Sequence, residues 1–340
     1  LISPKGIVRM RISPRNLLLL ALISLLCACG ADRSESEEGR LQVVATVSPV
    51  TNIVYNITGD LVDLSGLVPA GTDSHTFELA PSDAVTLSKA DIIFINGLHL
   101  EESTISMAEA NLKEGGEIVL LGEMVIDPED YVYDFSFPEE EGSPNPHLWT
   151  DPFFALKYAE IVRDKLSALD PDNSGVYQAN YDEFAARIEA LDAAIQATTA
   201  SIPESNRKLL TYHDSFAYFA PRYGYTVLGA IQPSDFSEPS AQEVAALIDQ
   251  LREGKITAIF GSEVFPSRVV DQIGREADVQ YVSTLSDDDL PGNPGDPEHS
   301  YISMMVENLK TMADSLGGDS TLMDGVETAN VPGPETSVRQ

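Results

Sequence analysis

Of the five histidines in this 340-residue chain, three stand just past stretches that read as β-strands or at the mouth of a helix. His75 lies in Gly71-Thr72-Asp73-Ser74-His75-Thr76-Phe77-Glu78, His147 in Asn145-Pro146-His147-Leu148-Trp149-Thr150, and His213 in Tyr212-His213-Asp214-Ser215-Phe216. Neutral imidazole is the commonest protein ligand for Zn²⁺, and three imidazoles need one carboxylate or water to close a tetrahedron. Ligands of open α/β sheets collect beyond the carboxyl ends of the strands, so distant histidines falling at that edge predict one metal-ion site. His99, in Gly97-Leu98-His99-Leu100, and His299, in a Pro- and Gly-rich stretch, lack that context and read as surface or loop residues.

Positioning such a site requires an α/β frame, and the chain alternates short β-type runs with helical patterns throughout. Candidate strands are Gln42 to Val47, Leu61 to Leu67, Asp91 to Asn96 and Ile118 to Leu121, then Lys208 to Tyr212, Thr226 to Ile231, Thr257 to Phe260 and Gln280 to Val282. Ser82 stands as a helix cap, and Ser240 with Glu243 as a capping box. Asp151 and Pro152 open a linking helix that ends before Pro171; a second, from Tyr177 toward Ser201, buries residues at spacings of four and three. The expected fold is two α/β lobes, each with a roughly four-stranded, mostly parallel sheet covered by helices, bridged by one long helix with the metal in the cleft. The expected boundaries are a lobe over 41–150, linking helices over 151–203, a lobe over 204–325 and a disordered tail over 326–340.

At the N-terminus Lys5, Arg9, Arg11 and Arg15 precede an apolar run from Leu17 to Leu26, which reads as a signal peptide over residues 1–28 with Met10 as the start. Leu26-Cys27-Ala28-Cys29-Gly30 resembles the lipobox of bacterial lipoproteins, with Cys29 the lipidated residue, and 29–40 is an acidic tether. Both cysteines are used in targeting, so a metal must be held by histidine and carboxylate. A net charge of −33 argues against nucleic acid as a partner.

The chain resembles the zinc- and manganese-binding substrate-binding proteins of ABC transporters, a family that includes metal-binding adhesin lipoproteins. The resemblance rests on Ala45-Thr46-Val47-Ser48-Pro49, Gly71 to Glu78, Pro81-Ser82-Asp83, Asn96-Gly97-Leu98, Pro146-His147-Leu148-Trp149, Tyr212 to Phe216, Glu238-Pro239-Ser240 and Tyr301 to Met305. It implies an extracytoplasmic, membrane-anchored or periplasmic monomer that carries an ion to permease subunits and is not an enzyme. A zinc-dependent hydrolase and an adhesin are the alternative expectations. It also implies His75 and His147 as ligands from the first lobe and His213 from the second. His213 is the zinc-type choice where manganese-type members place Glu, so Zn²⁺ is expected and Mn²⁺ is the alternative. The family pattern places a carboxylate where this chain has Ser283. The fourth ligand is therefore expected to be Glu263, just past the seventh strand, with Asp287, Asp288, Asp289 or water as alternatives.

Overall fold

The strands belong to parallel sheets covered by helices, and the most apolar of them, Ile92–Ile95, is buried at every residue. In the first half these are β1 (Gln42–Ala45), β2 (Asp63–Gly66), β3 (Ile92–Ile95) and β4 (Glu117–Leu120). They form one wholly parallel sheet in the order β2-β1-β3-β4. The computed structural model describes residues 39–340 apart from 233, 235, 236, 238, 255, 263–267, 336 and 340. The signal peptide, Cys29 and Glu263 lie outside the described residues.

In the second half β5 (Lys208–Thr211) pairs in parallel with β6 (Thr226–Ala230), and β7 (Ala258–Ser262) with β8 (Gln280–Leu285). Among the described residues these are two two-stranded sheets, with β5 packed beside β7. All eight expected strands form, each within a few residues of its expected ends.

Helices α1 (Ser48–Thr58), α2 (Pro81–Leu87), α3 (Glu102–Asn111) and α4 (Leu121–Val125) belong to the first half. Ser82 is not the cap of α2. Pro81 takes the first helical position, and the Asp83 carboxylate accepts the backbone N–H of Ala80 at 2.7 Å. The linking helices are α5 (Pro152–Leu169) and α6 (Ser174–Ser201). Asp151 caps α5, accepting the Phe153 N–H at 2.9 Å. With 28 residues, α6 is about 42 Å long, and it buries Tyr177, Phe184, Ile188, Leu191 and Ile195 along one stripe. It packs on α1 and α5 from the first half of the chain and on α10 (Tyr301–Leu316) from the second. Helices α7 (Phe219–Tyr223), α8 (Ala241–Gly254) and α9 (Arg268–Ala277) complete the second half. The capping box of α8 forms, Glu243 accepting the Ser240 N–H at 2.7 Å.

The expectation of a disordered tail over 326–340 is corrected. Every residue of α1 is buried, which leaves Asn52 and Asn56 without water, and the tail supplies their partners. Asn52 Nδ2 donates to Glu335 Oε2 at 2.6 Å, Asn56 Nδ2 to Asn330 Oδ1 at 2.9 Å, and Tyr55 Oη to the Pro334 carbonyl at 2.9 Å. Arg339 then bridges the edge strand β2 at Ser65. The polar composition that suggested disorder matches a polar helix face inside the fold.

Candidate metal centre

Local hydrogen bonds and the neighbouring elements set the backbone of each histidine. Downstream of β2, Asp73 Oδ1 accepts the His75 N–H at 2.9 Å and Oδ2 accepts the Thr76 hydroxyl at 2.6 Å, an Asx turn that sets the His75 backbone. His147 sits at the mouth of α5, where Asn96 Nδ2 holds the preceding Pro146 carbonyl at 3.0 Å and the Thr150 hydroxyl donates to the His147 carbonyl at 2.9 Å. Asn145 Oδ1 accepts the His147 N–H at 2.9 Å and lies 2.9 Å from Nδ1, which must therefore be the ring donor. That leaves the Nε2 lone pair for an ion. His213 follows β5 directly.

The three rings converge. Nε2 of His147 lies 3.1 Å from Nε2 of His75 and 3.2 Å from Nε2 of His213, and the three could hold one metal ion. A tetrahedral Zn²⁺ site with Zn–N of about 2.05 Å has ligand-to-ligand edges of about 3.3 Å, so this spacing fits a shared ion. The carboxylate arrives from the segment after β8, where Asp287 Oδ2 lies 2.9 Å from His213 Nε2. Ser283 is exposed on β8 and stands outside this cluster.

Of the three consecutive acids, only Asp287 reaches the histidines in this way. Asp288 accepts the Ser74 hydroxyl at 2.9 Å and the Ser74 N–H at 3.2 Å, and Asp289 accepts the Gly71 N–H at 2.6 Å. Both tie the His75 loop to the second half of the chain.

Aromatic rings pack against the cluster. Trp149 lies 5.0 Å from the His147 ring and donates through Nε1 to the Asp287 carbonyl at 2.7 Å. Phe137 lies 5.5 Å from His75 and 5.6 Å from His147. Sequence reasoning missed Phe137 and Asn145. The Asn-Pro-His spacing carried a signal for Asn145, because a short amide two residues before a histidine can cap its backbone.

Burial shapes the charge state. It pushes His75 down to about 3, helped by the nearby His213 charge, and it holds His147 well below the ordinary range in the same way. Burial acts on His213 too, but the charge and hydrogen bond of Asp287, with Asp288 and Asp73 behind, outweigh it and raise His213 to about 9. Asp287 is held low: burial opposes this, and the His213 charge overcomes it. Asp288 is raised to about 7 by burial and by the charge of Asp287.

The other two histidines are elsewhere. His99 is half exposed with Nδ1 2.6 Å from Glu102 Oε1, as a lobe-edge residue should be. His299 departs from the loop-surface expectation: it is fully buried, with Nδ1 3.2 Å from the Pro291 carbonyl. Asp151 pairs with Arg222 at 3.4 Å, and Asn145 orients His147.

A sequence profile for the family described as zinc-uptake complex component A, periplasmic (ZnuA), matches residues 43–315. The chain belongs to this family. It is 28% identical over 306 residues to the metal ABC transporter substrate-binding lipoprotein SsaB of Streptococcus sanguinis, covering 88% of this chain and 97% of the relative. It is 29% identical over 307 residues to the manganese ABC transporter substrate-binding lipoprotein ScaA of Streptococcus gordonii, covering 88% and 97%. Among solved structures, the periplasmic zinc-binding protein TroA of Treponema pallidum superposes with a TM-score of 0.73 at 28% identity, covering 82% of this chain and 99% of that one. The fold expected from the alternation of strands and helices is thus the ZnuA family's fold.

Proposed function

We propose that this chain is the ion-capturing component of an ABC importer, anchored outside the cell membrane through lipidated Cys29. As a monomer it binds one Zn²⁺ with His75, His147, His213 and Asp287 and hands it unchanged to the permease. The observation that carries this reading is the convergence of three imidazole Nε2 atoms at spacings that suit a shared ion, with the Asp287 carboxylate 2.9 Å from one of them. Four protein donors and the cover of Phe137 and Trp149 favour storage and release over hydrolysis, which needs an open coordination position for water.

Mn²⁺ is the second reading, because close relatives are named as manganese carriers. Imidazole suits Zn²⁺, whereas Mn²⁺ prefers oxygen donors, so the donor set favours zinc. The test is competitive titration of Zn²⁺ and Mn²⁺ on the purified full chain and on His213→Glu. Zn²⁺ is expected to win on the wild type and the preference to move toward Mn²⁺ on the variant. A wild type that takes Mn²⁺ first overturns the zinc assignment. Metal uptake in cells carrying only His75→Ala is expected to cease, and undiminished uptake overturns the transport role of this site.

A further inference from the structure

The turn from Asp134 to Phe137 packs Phe137 on the histidine cluster, and one side chain organises it. Asp134 Oδ1 accepts the backbone N–H groups of Ser136 at 2.8 Å and Phe137 at 3.1 Å, while its own N–H donates to the Phe137 carbonyl at 2.9 Å. These bonds close a tight turn that delivers Phe137, 8% exposed, onto the rings of His75 and His147. The Ser136 hydroxyl in the same turn accepts the Asp214 N–H at 2.9 Å, next to His213.

The second oxygen faces the other way. Asp134 Oδ2 accepts from Asn145 Nδ2 at 2.7 Å, and the same Nδ2 donates to the Asp214 carbonyl at 2.5 Å. Both partners can only accept, so they force the amide of Asn145 to turn its NH₂ toward them and its oxygen toward His147. That oxygen in turn requires a proton on His147 Nδ1, which leaves Nε2 unprotonated and aimed at His75 and His213.

We propose that Asp134 is a positioning residue of the metal centre: one carboxylate seats Phe137 against the rings of His75 and His147 and, through Asn145, selects the tautomer of His147 that can bind the ion. This rests on the metal-binding reading above. Asp134 touches neither His147 nor an ion. Its effect passes through two neighbours, and those can be separated.

The test uses the full chain as wild type, Asp134→Ala, Asp134→Asn and Phe137→Ala. Zn²⁺ release into excess chelator is measured by stopped flow, and the His147 tautomer by ¹⁵N NMR of the histidine-labelled, metal-free protein at pH 8. Asp134→Ala is expected to release Zn²⁺ about ten-fold faster or more, as losing an outer-sphere partner does, and to convert His147 from one tautomer to a mixture. Asp134→Asn keeps an acceptor for the turn but sets NH₂ against NH₂ at Asn145, so it should disturb the tautomer. Phe137→Ala should speed release and leave the tautomer as in the wild type.

An Asp134→Ala protein with wild-type circular dichroism, release within two-fold and an unchanged His147 signal overturns the proposal. If that variant does not fold, the near-isosteric Asp134→Asn decides on the His147 signal. A wild type that binds neither Zn²⁺ nor Mn²⁺ overturns the transport reading instead, while the tautomer measurement still decides the role of Asp134.

Discussion

His213 Nε2 and Asp287 Oδ2 lie 2.9 Å apart with both side chains buried, and the Asp287 charge favours the protonated form of His213. With His213 raised to about 9 and His75 pushed down to about 3, His213 is the one of these three histidines that favours a second ring proton, and with it a positive charge, at neutral pH. An ion must displace that proton, because only neutral imidazole coordinates. Capture at pH 7–8 should therefore release about one proton per ion, and affinity should fall about ten-fold for each unit the pH drops below the His213 value. Isothermal titration in buffers of different ionisation heat measures the proton count. A count of zero would contradict the pair.

Asp287 and Glu263 separate as candidates for the fourth ligand. If Asp287 coordinates the ion, Asp287→Ala should weaken Zn²⁺ binding by more than the roughly 10–100-fold typical of an outer-sphere loss. Glu263→Ala should leave affinity within a few-fold. The reverse pattern in a zinc-competition assay would return the role to Glu263.

Trp149 is the chain's single tryptophan, 5.0 Å from the His147 ring and bonded to the Asp287 carbonyl. Exchanging a proton for a divalent ion beside the indole changes its local field. Intrinsic fluorescence should therefore shift with one-to-one stoichiometry as Zn²⁺ is added, and the shift should vanish in His147→Ala.

Glu335 links the tail to pH. Burial raises it from its ordinary 4.5 to about 7, against the opposing Asn52 hydrogen bond. The folded chain thus keeps a proton that the unfolded chain gives up above 4.5. The stability this confers is complete below about 4.5 and is lost as pH rises through about 7. Glu101, raised to about 7 by burial, acts in the same direction. Thermal melts of the metal-free protein should show a fall in Tm from pH 5 to pH 8, smaller by a few °C in Glu335→Gln. Equal falls in variant and wild type would place Glu335 outside the linkage.

The alternation of strands and helices was legible because it depends on neighbours in sequence. Ile92, Ile93, Phe94 and Ile95 announce a doubly buried strand wherever they are placed, and all four are fully buried. The stripe of α6 is equally local. Ser82 misled because a serine before a helical pattern resembles a cap, whereas the Pro81 ring and the Asp83 carboxylate set the true start.

By itself the sequence determined the order of elements and the placing of His213 just past β5, of His75 in the loop after β2 and of His147 at the mouth of α5, since each depends on neighbours in sequence. Only the tertiary structure decided which of Asp287, Asp288 and Asp289 meets His213, that Asn145 orients His147, and that the tail fills the polar face of α1. Each of those is a hydrogen bond or ion pair whose energy depends on burial and on the direction of an acceptor, and neither is encoded in residue type or spacing.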